Sequence, residues 1–576
     1  MAETAVAERP TLTHFKPEKA FLAETGGFEH VEFAVDSSSG LIVKAGDPRD
    51  VRAYVAGEGS RAQLEGRTPR SIREDIGGVL LPGFVDAHAH PFLFSGVELP
   101  NPTDVSGAET KEQLIAALKK AASDKEPGKF VVAQGFDTSK IKNLTRTDLD
   151  KASSRHNIVV YDPSYHGCVV NSRAFSEVEK YGQDYERKTG KLRGVKRADG
   201  TLKESWVYMT FELIEAEQSI EKLVEATRTT FEDHLSRGIT TIQDLEVSTY
   251  PETVAYFMLR QEMGDKFPVS EIYMQPRTLK YVLSQMEDLR ARGLVSGEDE
   301  IQRLIKERVL GIKLYADGSF GSHTASVEER YEDIGHDEKQ PHGFNYYTDS
   351  MLNEAVEYAK KMGVQNLAVH AIGDKGIRRA IETAQKWRVA AEQAKLDPTK
   401  FRIEHYEMPT AKHNQQAAEL GIWAVPQPNF LADDLVYSDR LGQRVSMLCP
   451  HRDIVNAGVS MMLGSDGMPT SALFGIFMAT HAPEASQRLT FPEALLAYTL
   501  ASGKYEGKQR GELKEGQQAD MVVLDQKGID QVLEGGPIGT EEMKKMSSYE
   551  RRDLLALDAN VQRVYRLGQL VHSKAA

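Results

Sequence analysis

Eight short apolar runs, most of them closed by a polar residue, limit the folds open to this chain more than any other feature. They read "GFVDAH" at 83–88, "TTIQDL" at 240–245, "SEIYMQ" at 270–275, "GIKLYA" at 311–316, "NLAVH" at 366–370, "FRIEH" at 401–405, "IWAVPQ" at 422–427 and "VSMMLGSD" at 459–466. Helical stretches separate most of them, the alternation of patterns that marks βα units. Residues 349–363, "DSMLNEAVEYAKKMG", show one such helix, with Asp349 or Ser350 as the cap at its start and Gly363 after its end. Eight strands joined by right-handed crossovers predict an α/β protein built on a (β/α)8 TIM barrel over residues 81–509.

The gap between the first two runs is too long for a loop, so residues 91–230 are expected to form an inserted subdomain after strand one. It has strand candidates of its own, "KFVVAQGF" and "NIVVYDP". Short β-like runs at both ends of the chain, over 20–80 and 510–576, predict a small β-sandwich domain built from the two termini. Within the later segment, residues 528–560 are charged and irregular, the pattern of a surface excursion.

Catalytic groups in such barrels sit at the C-terminal ends of the strands. Read in order, those ends carry His88 and His90, then Lys313, His370, His405 and Asp466. Each alone has an ordinary explanation. A His-x-His pair arises by chance, a strand histidine is commonly a hydrogen-bonded core residue, and Asp-Gly marks turns. Lys313 alternates with Leu310, Ile312, Leu314 and Ala316, so on its own segment it reads as a solvated lysine on an edge strand. Their joint placement at successive strand ends is what these explanations leave out, and it is a metal-site constellation.

Composition narrows the partners. The net charge is −14 with no basic cluster, which argues against nucleic acid or an anionic membrane surface. Cys168 and Cys449 are the only cysteines, so neither a disulfide framework nor a Cys-rich zinc site is expected. The N-terminus is polar, no later run is long enough to span a bilayer, and mean hydropathy is −0.44; a cytoplasmic enzyme acting on a small molecule is the expectation.

The motifs themselves are specific. "LPGFVDAHAHP" resembles the first metal motif of the amidohydrolase superfamily. "GIKLYADGSFGSHTA", "VHAIGD", "IEH" and "GSDGMP" resemble, in order, the later motifs of its family-3 branch of deformylase-like metal-dependent hydrolases. The resemblance implies two divalent ions, with zinc the expected metal for this donor set. His88, His90 and Asp466 would bind one ion, and His370 and His405 the other. Two dications need an anionic ligand between them, which neutral histidines cannot supply. Lys313 supplies it if its uncharged amine reacts with CO2 to give N6-carboxylysine, and burial beside cations favours that amine. A metal-bridging hydroxide would then attack an amide or related C–N bond, with Asp466 as general base and then general acid.

The segment "YDPSYHGCVVNSRAF" resembles the family's Asp-x-His…Asn-Ser stretch, which places His166 near the substrate carbonyl and gives Asn171 a structural role. Asp137, Tyr406, Trp423 and Gln427 are further candidates for pocket lining, each with packing as its alternative. Asp317 and Asp374 could orient ligands. Two departures bear on substrate: His323 and Phe136 stand where relatives often have Arg and Trp. A mononuclear deaminase on the same scaffold is an alternative, though Gly373 stands where those relatives place a glutamate. A metal-free binding protein is another. Homodimers are common among relatives, and a homodimer is expected here.

Overall fold

The structure, a computed structural model, describes residues 12–64, 71–98, 100–138, 140–263, 268–334, 340–432, 437–535 and 548–574. The eight runs form the strands β1 (Phe84–Ala89), β2 (Ile239–Asp244), β3 (Val269–Met274), β4 (Val309–Tyr315), β5 (Asn366–Ala371), β6 (Phe401–His405), β7 (Trp423–Val425) and β8 (Ser460–Met461). They pair in chain order and all in parallel. The last two strands are shorter than their apolar runs. Pro426 follows Val425 and has no N–H to give the ladder. Hydrogen bonds join the two edges of the sheet: the Ala87 N–H donates to the Leu463 carbonyl at 3.2 Å, and the Ser465 and Asp466 N–H groups donate to the His88 carbonyl at 3.1 and 2.6 Å. The sheet is thereby curled into a barrel, and the chain after β8 is anchored against β1.

The period-2 pattern of β4 sorts its two faces. Ile312 and Leu314 join the core shared with the surrounding helices. On the other face a Cβ at Gly311 would meet the Tyr273 ring at 2.1 Å, while Lys313 and Tyr315 line the barrel's cavity. The helices cover the outside with their apolar stripes: Leu352, Ala355, Ala359 and Met362 from Asp349–Met362, and Ile377, Ala380, Ile381, Ala384 and Trp387 from Asp374–Ala394. Thr348 is the N-cap of the first of these, in place of the expected Asp349 or Ser350. Its hydroxyl bonds Arg193 and Ser350, and Asp349 falls in the first turn, where a carboxylate meets the positive end of the helix.

Between β1 and β2 lies a six-stranded mixed sheet, in the order Gly194–Lys196, Thr201–Glu204, Gly167–Val170, Asn157–Tyr161, Phe130–Gln134, Thr103–Asp104. Its strands alternate into two cores: Phe130, Val132, Val159 and Tyr161 on one face, Val131, Ala133, Ile158 and Val160 on the other. The terminal segments differ from the expected β-sandwich. They pair as one continuous eight-stranded sheet, beginning at Leu12. Ser71–Pro82 is long enough to bond Leu12–Leu22 in parallel on one side and Met521–Leu524 antiparallel on the other, which joins what shorter strands would have split into two sheets. Part of the expected surface excursion at 528–560 is helical, within Gln526–Glu534 and Ser548–Leu555, and 536–547 lies outside the described residues. Among the described residues no helix is long and apolar enough to cross a membrane.

Candidate metal centre

β1 delivers Asp86 and His88 to the barrel interior, and the strand ends at Ala89, so His90 is free to turn back toward the same point. The two imidazoles meet edge to face, 5.2 Å apart. Asp466 completes the cluster: its Oδ1 lies 3.5 Å from His88 Nε2 and 3.2 Å from His90 Nε2. One donor atom from each of the three falls within 4.8 Å of the others. Asp466 has a left-handed backbone, φ 57°, held by its N–H bond to the His88 carbonyl. Beneath it the Asp86 carboxylate accepts from the Ser465 hydroxyl and, at 2.9 Å, from the Ser465 N–H, tying β1 to the turn after β8. Burial pushes the Asp86 carboxyl up to about 6 against those bonds.

His88 is fixed from below. Its Nδ1 lies 2.7 Å from Glu404 Oε2, and both side chains are fully buried. A carboxylate bonded there makes Nδ1 the protonated nitrogen and leaves the Nε2 lone pair facing Asp466. Arg402, also fully buried, grips Glu404 through Nε and Nη2. Burial and then the Lys313 amine hold the His88 imidazole well below its ordinary range. At His90, burial opposes protonation but Asp244 and Asp466 prevail and raise it to about 10. That balance marks a pocket whose carboxylates attract a cation.

His370 and His405 stand on the far side. The His370 Nε2 lies 3.0 Å from the Gly318 carbonyl, a bond that requires Nε2–H and leaves Nδ1 as the acceptor. Asp317 anchors this corner by accepting from the N–H groups of Ser326, Ile372 and Gly373. Asp374 instead accepts from the Glu328 and Lys375 N–H groups. His405 and Tyr406 are consecutive left-handed residues, φ 68° and 51°, so β6 stops and the His405 ring lies 4.7 Å from His88 and 4.3 Å from His370. Lys313, 1% exposed, lines the same cavity as His90, His370, His405 and Asp466, with Nζ 5.0 Å from the Tyr315 ring centre. Burial lowers its amine, against the pull of Glu404, Glu246 and Asp466.

The inserted segment adds His166, whose ring is 5.2 Å from His370 and which also lines the cavity. Leu93, Phe94, Tyr165, Phe211 and Met468 form an apolar wall, and Tyr208, Ser248 and Glu246 a polar one. The Glu246 carboxylate accepts from the Tyr315 hydroxyl and from Gln275 Nε2.

The other expected lining residues are placed elsewhere. His323 bonds Asp333 at 2.9 Å and packs edge-on against Tyr331. Asp137 lies 4.0 Å from Lys140 on the inserted segment. Tyr406 is packed in the barrel core, and buried Gln427 donates to the Val425 carbonyl. Trp423 is the first residue of β7, at the end of the barrel opposite the mouth, and packs on Tyr505. Phe136 is buried in a core of the inserted sheet. Asn171 caps the helix Ser172–Thr189 and bonds the Ile158 N–H. The sequence reading missed Asp86, Arg402, Glu404, Asp244 and Glu204. Asp244 could have been found, since it ends β2 as His370 nearly ends β5.

The buried donors fit a cation. Among the described residues His88 Nε2, His90 Nδ1 and His405 Nδ1 have no hydrogen-bond partner, and leaving a buried polar atom unpaired costs about 1–3 kcal/mol. Imidazole nitrogens beside a carboxylate are the donor set of divalent transition metals, zinc among them.

Residues 76–571 match the sequence profile of the amidohydrolase family. The chain belongs to that family. Among its amidohydrolase relatives, an N-substituted formamide deformylase of Arthrobacter pascens is 26% identical over 533 residues, covering 86% of this chain and 90% of its own length. The putative amidohydrolase YtcJ of Bacillus subtilis is 24% identical over 503 residues, covering 82% and 89%. A metal-dependent hydrolase of Pyrococcus horikoshii shares the fold, with a TM-score of 0.63 at 21% identity over 90% of this chain and 98% of its own.

Proposed function

We propose that this amidohydrolase is a metal-dependent hydrolase that cleaves an amide or related C–N bond of a small molecule. One observation carries the reading: the donor atoms of His88, His90 and Asp466 converge within 4.8 Å on a cavity that Lys313, His370 and His405 also line. The similarity to an N-substituted formamide deformylase favours a C–N bond as the target.

His88, His90 and Asp466 would hold one divalent ion, His370 and His405 a second, and carboxylated Lys313 both, with zinc the metal that suits the set. Bound there, such ions would lower the pKa of a water and polarise a carbonyl. The protein does the rest. Burial lowers the Lys313 amine and so favours the uncharged form that reacts with CO2. Asp466 takes the proton of the attacking water on its carboxylate and returns it to the leaving nitrogen. His166 offers its Nε2 to the substrate carbonyl oxygen, and the apolar wall of Leu93, Phe94 and Phe211 excludes water from the acyl or amine substituent.

The test joins metal analysis to a screen of N-formyl amines, N-acyl amino acids and aryl carbamates. Hydrolysis that is lost on chelation and returns with Zn2+ is expected. Protein that binds no divalent metal, or hydrolyses none of these with any metal, would refute the reading.

A further inference from the structure

We infer that Glu204 is a positioning residue that sets the His166 imidazole against the metal ligands. The inference rests on the reaction proposed above. Glu204 ends the strand Thr201–Glu204 and stands immediately before the helix Ser205–Ala216. That is the N-cap position, where a side-chain oxygen can bond the free N–H groups of the first helical turn. This one makes no such bond.

Its side chain is turned instead onto His166. Oε2 lies 3.1 Å from His166 Nδ1, and the Glu204 N–H donates to the His166 carbonyl at 3.0 Å, so one residue grips both the ring and the backbone of another. The geometry is bought with strain: φ 58° and ψ −128° is a conformation that residues other than glycine rarely adopt and that persists where function or packing imposes it. The carboxylate is also pressed against the barrel. A Cβ at Gly318 would lie 2.2 Å from Glu204 Oε1, and Gly318 is the residue whose carbonyl bonds His370. Oε1 itself is buried with no hydrogen-bond partner among the described residues, so packing and the His166 bond hold the group in place. Glu204 therefore bridges the inserted sheet, where it bonds His166, and the loop after β4, whose Gly318 carbonyl holds the His370 ring of β5.

The chemical consequence is a defined imidazole. With Nδ1–H committed to Glu204, Nε2 is the nitrogen left for the substrate, and the carboxylate stabilises the charge the ring takes on when Nε2 also carries a proton. An imidazolium so oriented donates to the oxygen that becomes negative as the carbonyl is attacked. Asp317 and Asp374, the carboxylates the sequence offered for orienting ligands, are bonded to backbone N–H groups and cannot serve His166 in this way.

Glu204→Gly tests this without a folding penalty from the backbone, since glycine suits φ 58°. In the metal-loaded enzyme, kcat should fall roughly 10- to 100-fold, with metal content and KM within about two-fold of wild type. Glu204→Gln, which keeps an acceptor but not the charge, should recover part of the loss. In a His166→Asn background, Glu204→Gly should cost nothing further. Nitrogen-15 NMR of the imidazoles, with the His166 signal identified by its absence from His166→Asn, should show a hydrogen-bonded Nδ1–H that disappears in Glu204→Gly. Wild-type kcat in Glu204→Gly, a further loss in the His166→Asn background, or an unchanged Nδ1–H signal would overturn the positioning role. Wild-type protein inert toward every amide and carbamate would instead overturn the proposed reaction, and the Nδ1–H signal would still decide the fate of Glu204.

Discussion

Arg402 and Glu404 offer a way to separate what holds the barrel together from what holds the metal. Both are fully buried in β6, bonded to each other through two contacts, and Glu404 Oε2 also accepts from His88 Nδ1. Glu404→Leu leaves a guanidinium buried without its carboxylate, which costs about 3–5 kcal/mol. Arg402→Met leaves the carboxylate instead, at a similar cost, and also strips a donor from the Ala87 carbonyl and from Gln243 Oε1. The double variant removes both charges, so its loss should be smaller than the sum of the two by several kcal/mol. Denaturant titration of chelator-treated protein reads these stabilities. Zinc affinity, measured by competition with a fluorescent chelator, should follow a different order. Glu404→Leu and the double variant lose the partner of His88 Nδ1 and should bind zinc about 10- to 100-fold more weakly. Arg402→Met keeps that partner and should stay closer to wild type. Equal loss of zinc affinity in the two single variants, or wild-type affinity in Glu404→Leu, would refute the assignment of Glu404 as the group that orients His88.

Asp466→Asn should retain most of the bound metal, because the amide oxygen can still approach His88 and His90, yet lose turnover; metal analysis beside an activity assay checks both, and a substantially active variant rejects the proton-transfer role. Lys313→Ala should bind less metal, and wild-type apoprotein reconstituted without CO2 should regain less activity than with added bicarbonate, with intact mass reporting the added carboxylate. His451 is buried, neither ring nitrogen finds a hydrogen-bond partner among the described residues, and burial lowers its imidazole to about 4. The unfolded chain therefore takes up this proton first, near 6.5, so stability should fall as pH drops from 6.5 toward 4, by about 3 kcal/mol in all from this residue. His451→Leu should flatten that part of the pH–stability curve. Trp423→Leu should lower the unfolding midpoint through lost contact with Tyr505 while leaving kcat and KM unchanged, since Trp423 lies at the end of the barrel away from the mouth.

What could be read from the sequence, and what could not, divides along a physical line. Alternation in "GIKLYA" put Lys313 on the face opposite Ile312 and Leu314, and that is how β4 is built, because a strand packed under helices must bury every second residue. The histidines at successive strand ends could be gathered for the same reason, since parallel pairing in chain order brings strand ends together. Backbone exceptions carry no such signal. Nothing in "IEHYE" announces that His405 and Tyr406 adopt left-handed conformations, nor in "LKESW" that Glu204 does. Trp423 takes the packing alternative: β7 pairs over only three residues and begins at Trp423, which sets its ring at the start of the strand and on Tyr505.

The interior polar residues explain the remaining omissions. Arg402 and Glu404 alternate with Phe401 and Ile403, so by pattern alone they belong to a solvated face. In a sheet curled on itself that face is the inside. It is occupied by charges that partner one another and the histidines above: His88 bonds Glu404, and Glu404 bonds Arg402. Glu404 orients His88 and is neutralised by Arg402, which bonds Gln243; Gln243 bonds Glu271, and Glu271 accepts from Arg510 at 2.9 Å and from Lys508. Lys508 is the member of this chain nearest to solvent, its side chain 42% exposed, so the ion network runs from the ligand shell to the edge of the barrel's other end. A purely apolar floor would pack as well but would leave His88 Nδ1 without a partner. The polarity inside the barrel is therefore a consequence of the site above it, and a sequence pattern that reports only burial cannot distinguish it from a face turned to water.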